Sequence, residues 1–177
     1  MTDGVTAHMT DDMTDGPFDD LLAANAASAE HYIFGGLAPK AAKLLCVLTC
    51  MDSRVDPVQM LRLAPGDAKV LRNAGARVTD EVLRDVVVAR YLLGAARCMV
   101  IAHTGCAMAS GSEESLHEAI AASGGPDTSG LRFLSTGDQE AALREDVDRL
   151  RTSPYLPGLT VGGFVFELET GRLRRVC

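Results

Sequence analysis

The sequence predicts an α/β domain of three layers. A mainly parallel central sheet, of expected order 2-1-3-4-5, lies between helices and ends in a C-terminal antiparallel hairpin strand. Three observations predict it. The runs LLCVLT (44–49) and RCMVIAH (97–103) are apolar without alternation, the sign of strands covered on both faces. Helix-like segments separate the strand-like ones, as parallel strands with crossover helices require. TVGGFVFELE (160–169) and RLRRV (172–176) flank Gly171, the mark of a hairpin.

Taken in order, residues 1–16 are small, polar and acidic and read as a disordered tail ahead of a single domain, 17–177. MTD occurs there three times and reads as terminal drift rather than a functional repeat; His8 reads as solvated. Residues 17–35 predict a helix: Pro17 suits its first turn, Leu21, Leu22 and Ile33 face a core, and Gly35-Gly36 stops it. His31 on this helix is a surface or packing residue. AKVLR (68–72) is a second strand. Residues 79–94 form a helix with Thr79 as N-cap and Gly94 as stop. Residues 111–123 form another, capped by Ser112, with His117 exposed. GGPDTSG (124–130) is a loop, LRFLS (131–135) a strand, and 138–151 a helix.

Composition narrows the function. The chain has 177 residues, 47% of them hydrophobic, and no Trp, so one aliphatic core is expected. A net charge of −7 without a basic cluster argues against nucleic acid and anionic membranes as partners. No apolar run approaches the roughly 20 residues that span a bilayer. The N-terminus lacks the apolar segment of a signal peptide, so a cytoplasmic location is expected. Five cysteines are an odd number and not a disulfide framework; thiols near His and Asp point to metal binding or catalysis.

In open α/β sheets, sites form beyond the carboxyl ends of the strands, where strand order reverses. Cys50 lies just past the first strand, and His103 and Cys106 just past the third. In the expected order those strands are neighbours, so the three side chains meet in one crevice. Two thiolates and an imidazole suit Zn²⁺, and three protein ligands leave a fourth position for water. Zinc lowers that water's pKa toward about 7, less so when two thiolates offset its charge. Asp52 and Arg54, two residues apart in an extended segment, share a face. Arg54 can clamp Asp52 and keep it ionised, so that Asp52 accepts a hydrogen bond from zinc-bound hydroxide; alternatively Asp52 becomes a fourth ligand and closes the site. A phosphate-binding Cys…Arg loop is discounted, because only three residues separate Cys50 from Arg54 and one is acidic. Cys46 and Cys98 read as core residues and Cys177 as incidental.

These residues resemble the β-class carbonic anhydrases. That family carries Cys-x-Asp-x-Arg, here CMDSR at 50–54, and His-x-x-Cys, here HTGC at 103–106; RNAGARVTDEVLR (72–84) is similar to the segment between them. The resemblance spans roughly 17–177 and is closest to a compact bacterial subgroup. It implies one Zn²⁺ per chain on Cys50, His103 and Cys106, Asp52–Arg54 as the catalytic dyad, and Gly75 near the substrate. It implies reversible hydration of CO₂ to bicarbonate and a proton, by a homodimer or a higher assembly of dimers. Gly105 and Ala107 depart from the family's frequent Asp and Gly, and a regulatory bicarbonate pocket that uses Trp cannot form here. Two other readings stay open: a carbon disulfide hydrolase on the same scaffold, and a non-catalytic zinc-binding regulatory or structural protein.

Overall fold

A computed structural model describes residues 16–177, so the expected tail at 1–16 lies almost wholly outside the described residues. The described residues fall into two units, 16–37 and Ala38–Cys177.

In the first unit, α1 runs Asp19–Ala29, shorter than the 17–35 expected. Phe18 at its N-cap position offers no oxygen to the first-turn amides, and Asp19 and Asp20 supply the acidic first turn instead. Leu21, Leu22 and Ile33 were expected to face a core; they are 62%, 64% and 82% exposed. The apolar spacing was there, but no core of this unit meets it.

The second unit is the sheet. Its strands are β1 (Leu45–Cys50), β2 (Ala68–Asn73), β3 (Arg97–His103), β4 (Thr160–Glu167) and β5 (Arg172–Arg175). The order is β2-β1-β3-β4-β5, with β4–β5 antiparallel and every other pair parallel, as the sequence predicts. β1 is buried along its whole length. Its residues alternate between two clusters. Cys46 and Leu48 join Cys98, Val100, Val161 and Val165 beneath two helices, α3 (Asp80–Tyr91) and α5 (Gln139–Arg151). Leu45 and Val47 join Ile101 and Phe166 on the other face, where Val55, Met60, Leu61 and Leu63 pack from the short α2 (Pro57–Met60) and the segments beside it. The helical cover is therefore uneven, and the α3/α5 side holds the larger core.

Thr79, Gly94 and Ser112 behave as the sequence indicates, and Asp138, read as the first residue of a helix, is a cap as well. Thr79 accepts from Val82 N, and Gly94 takes φ +79 after α3. Ser112 accepts from Ser115 N at the start of α4 (Glu113–Ala122). Asp138 accepts from Ala141 N at the start of α5.

Two expectations fail. Residues 131–135 are not a strand: the Phe133 and Ser135 amides donate to the Glu113 carboxylate at 2.8 Å each, so a side chain satisfies what a neighbouring strand would have. His117 is half-buried rather than exposed, because Nδ1 sits 2.8 Å from Thr128 Oγ1 and the ring lies against Phe133.

Leu150 on α5 is fully buried under the sheet. Leu150→Ala is expected to cost about 2–5 kcal/mol in urea unfolding, the range for a leucine removed from a close-packed core. Thr79→Ala should cost about 1 kcal/mol through the lost cap. A loss at Leu150 no larger than that at Thr79 would mean this face is loosely packed.

Candidate metal centre

Cys50 is the last residue of β1 and His103 the last of β3; Cys106 follows one turn later. Their ligand atoms lie within 4.8 Å of one another, and all three residues are buried. No other such group of metal-ligating side chains occurs among the described residues. The two sulfurs are 3.9 Å apart. Two thiolates held about 2.3 Å from a tetrahedral centre stand roughly 3.8 Å apart, so the spacing fits Zn²⁺.

The histidine is set for coordination. His103 Nδ1 lies 2.9 Å from Thr104 O, so the proton belongs on Nδ1 and the lone pair on Nε2. Nε2 is buried with no hydrogen-bond partner. A buried polar atom left unpaired is costly, and a metal at this place would satisfy it.

The sulfurs are supported by backbone amides. Gly75 N donates to Cys50 Sγ at 3.4 Å. Burial pushes the Cys106 thiol up, the Met108 and Ala109 amides pull it down, and Cys50 beside it pushes it up again. A cation beside Cys106 would offset the burial that disfavours its thiolate.

Asp52 and Arg54 pair as expected, though not by the expected geometry. Residues 53–54 lie in a turn, not an extended segment. Asp52 Oδ1 accepts from Arg54 N at 2.9 Å and Nε at 3.0 Å, and Oδ2 accepts from Nη2 at 2.7 Å. A short acidic side chain capping its own turn does this more directly than strand alternation. Arg54 Nη2 also donates to Gly105 O at 3.2 Å, tying the clamp to the loop between His103 and Cys106. Asp52 Oδ2 is 3.8 Å from His103 Nε2, and the carboxylate faces Arg54 on both oxygens. The Arg54 guanidinium, and then its amide, hold the Asp52 carboxyl well below the usual carboxylate range.

A mouth of about 490 Å³ opens over this group, lined by Asp52, Arg54, His103, Cys106 and small residues including Gly105 and Ala107. Gly105 takes φ +65, a conformation that favours glycine; Ala107 lies in a 3-10 turn and does not need positive φ. Gly75 is not among the mouth residues. It lines a narrow cavity behind Cys106.

Sequence reasoning missed two supports. Arg72 Nε and Nη2 donate to Cys50 O and Asp52 O at 3.0 and 2.7 Å, fixing the backbone between donor and clamp. Its signal was its place on β2, in register with Thr49. Gln139, at the start of α5, donates to His103 O at 3.1 Å; nothing local in the sequence marks it.

A carboxyl ¹³C pH titration should find Asp52 ionising below the ordinary value of about 3.9, and Arg54→Ala should move it upward. The sign follows from a lowered folded pKa: the clamp's stability is present above about pH 3.9 and is lost as pH falls through the folded value. An ordinary titration in the unmutated protein would rule the clamp out.

The chain is similar to known proteins. The family profile described as carbonic anhydrase matches residues 45–125. β-Carbonic anhydrase 1 of Mycobacterium tuberculosis is 33% identical over 163 residues, covering 89% of this chain and 96% of that one. A carbon disulfide hydrolase of Acidianus is 32% identical over 156 residues, covering 74% and 76%. Among solved structures, a carbonic anhydrase from Streptococcus mutans superposes with a TM-score of 0.85 at 34% identity, covering 93% of this chain and 100% of that one.

Proposed function

The chain belongs to the β-class carbonic anhydrase family, and from that premise we propose that it is a zinc-dependent carbonate dehydratase, catalysing the reversible hydration of CO₂ to bicarbonate and a proton. The observation that carries the reading is the buried Cys50–His103–Cys106 group beside a clamped Asp52.

Cys50, His103 and Cys106 would hold one Zn²⁺ per chain. Bound zinc supplies a Lewis acid that acidifies a coordinated water, so a nucleophile is available near neutral pH. Asp52 stays ionised because Arg54 donates to both its oxygens. It would accept a hydrogen bond from the attacking water and hold that water for attack on CO₂. Arg54 keeps the carboxylate from turning inward as a further ligand, and its bond to Gly105 O holds the loop at the same time. The small side chains of the mouth leave room for CO₂ to enter and bicarbonate to leave.

The carbon disulfide hydrolase relative supports a second reading, CS₂ hydrolysis with the same residues. A non-catalytic zinc protein is disfavoured, since a structural zinc needs no Asp52–Arg54 clamp.

The working unit is a homodimer or an assembly of dimers. α1 has 11 residues and buries none of them, and an isolated helix so short is marginal in water. Phe18, Leu21, Leu22 and Ile33 therefore need an apolar surface. The five free thiols fit a reducing compartment and a cytoplasmic protein. No helix among the described residues is long and apolar enough to cross a membrane.

Stopped-flow CO₂ hydration on zinc-quantified protein should show turnover rising with pH between about 6.5 and 9. Asp52→Ala should keep its zinc and lose about 10²-fold or more in kcat/KM, and Cys50→Ala should lose the zinc. A zinc-loaded protein inert toward CO₂ that releases sulfide from CS₂ would replace the first reading with the second.

Sedimentation equilibrium should give a dimer or a multiple of it, and Leu21→Asp/Leu22→Asp should shift the protein toward monomer. A monomeric parent protein would refute the assembly.

A further inference from the structure

The turn between Asn73 and Arg77 takes a shape its sequence does not favour. Gly75 has φ +78, and Ala76, buried beside it, has φ +59. A residue with a Cβ rarely adopts that conformation unless its surroundings impose it. Leu134, in the loop before α5, has φ +59 as well.

One guanidinium fastens both. Asn73 closes the turn, with Oδ1 accepting from Arg77 N at 2.9 Å and Nδ2 donating to Arg77 O at 2.7 Å. The Arg77 side chain then leaves the turn. Nε donates to Asp146 Oδ2 on α5, and Nη1 donates to Leu134 O, each at 2.6 Å. The two ion-pair side chains are 16% and 7% exposed. The cavity beside them, which Cys106 and Gly75 also line, has about 10 Å³ of room, enough for one water at most. With so little water, the pair acts as a stiff tether rather than a screened surface contact.

The turn carries the amide that, among the described residues, donates to Cys50 Sγ, from Gly75. It is also wedged in place: a Cβ at Gly75 would stand 3.0 Å from Met108 Cβ, two residues past Cys106.

We propose that Arg77, anchored by Asp146, is a positioning residue that holds the Gly75 amide on Cys50 Sγ and so sets how much charge that thiolate gives the metal. The proposal rests on the metal-binding reading above. An N–H aimed at a thiolate draws charge from the sulfur and stabilises it against protonation. Loosening the tether leaves the sulfur more electron-rich and less firmly placed toward the metal.

The test uses Co²⁺ and ¹¹³Cd²⁺ in the full chain, read without turnover. In the unmutated protein, a ¹H–¹¹³Cd correlation should connect the Gly75 amide to the metal through the sulfur; its absence refutes the proposal. Asp146→Asn and the paired Arg77→Met/Asp146→Leu should lose that correlation, move the sulfur-to-Co²⁺ charge-transfer band to longer wavelength, and lower Co²⁺ affinity roughly tenfold or more, the scale for groups that orient metal ligands. Arg77→Lys should keep charge but reach only one of the two acceptors, giving a smaller shift; it decides the question if the other variants do not fold. Arg174→Met, which breaks an exposed pair with Glu140, should change neither readout. Folded variants with an unmoved band and affinity within twofold of the parent would sink the proposal alone. A parent protein that takes up no metal would sink the metal reading as well.

Discussion

The chemistry of this chain depends on the parallel register between β1 and β3. Cys46 lies opposite Cys98 and Thr49 opposite Ile101, so the two strands end side by side and deliver Cys50 and His103 to one place. A slip of one residue would send every β1 side chain to the other face of the sheet and take Cys50 away from its partners. Two things resist it. β1 is buried on both sides, with different residues matched to each core, so neither face tolerates exchange. The Thr49 hydroxyl, fully buried, donates to Ile101 O at 3.0 Å in this alignment.

Around that alignment, polar groups hold the site's parts in place. Arg72 holds the backbone on either side of Met51, Arg54 holds Asp52, and Thr104 O fixes the histidine proton. The orphan left over is His103 Nε2, beside Cys106, whose thiolate burial disfavours. Arrangements that are unfavourable in the absence of a cation and matched in its presence are what binding selectivity is made of.

Much of this was legible in the sequence, because long-range order in an α/β sheet follows from local signals. Continuous apolar runs named the strands, caps such as Thr79 and Ser112 named the helices, and the strand ends named Cys50, His103 and Cys106. What was not legible depended on side chains acting across the fold. Residues 131–135 carried strand-like residues, yet the Glu113 carboxylate took their amides. The apolar spacing in α1 promised a core that its own unit does not contain. Asp52 and Arg54 were found by their spacing, but the spacing suggested strand alternation where a turn does the work. Gln139 reaches its acceptor only because α5 starts where β3 ends.

The donors come from the end of β1 and from the end of β3 with the turn after it, so the unfolded chain holds only two of the three, His103 and Cys106, in proximity. The third donor arrives when the sheet has assembled. A cation that needs all three discriminates between folded and unfolded chains, and by mass action its free concentration enters the folding equilibrium of the whole sheet. Metal supply and protein abundance are thereby linked: a cell short of the ion would lower the stability of the polypeptide as well as its chemistry.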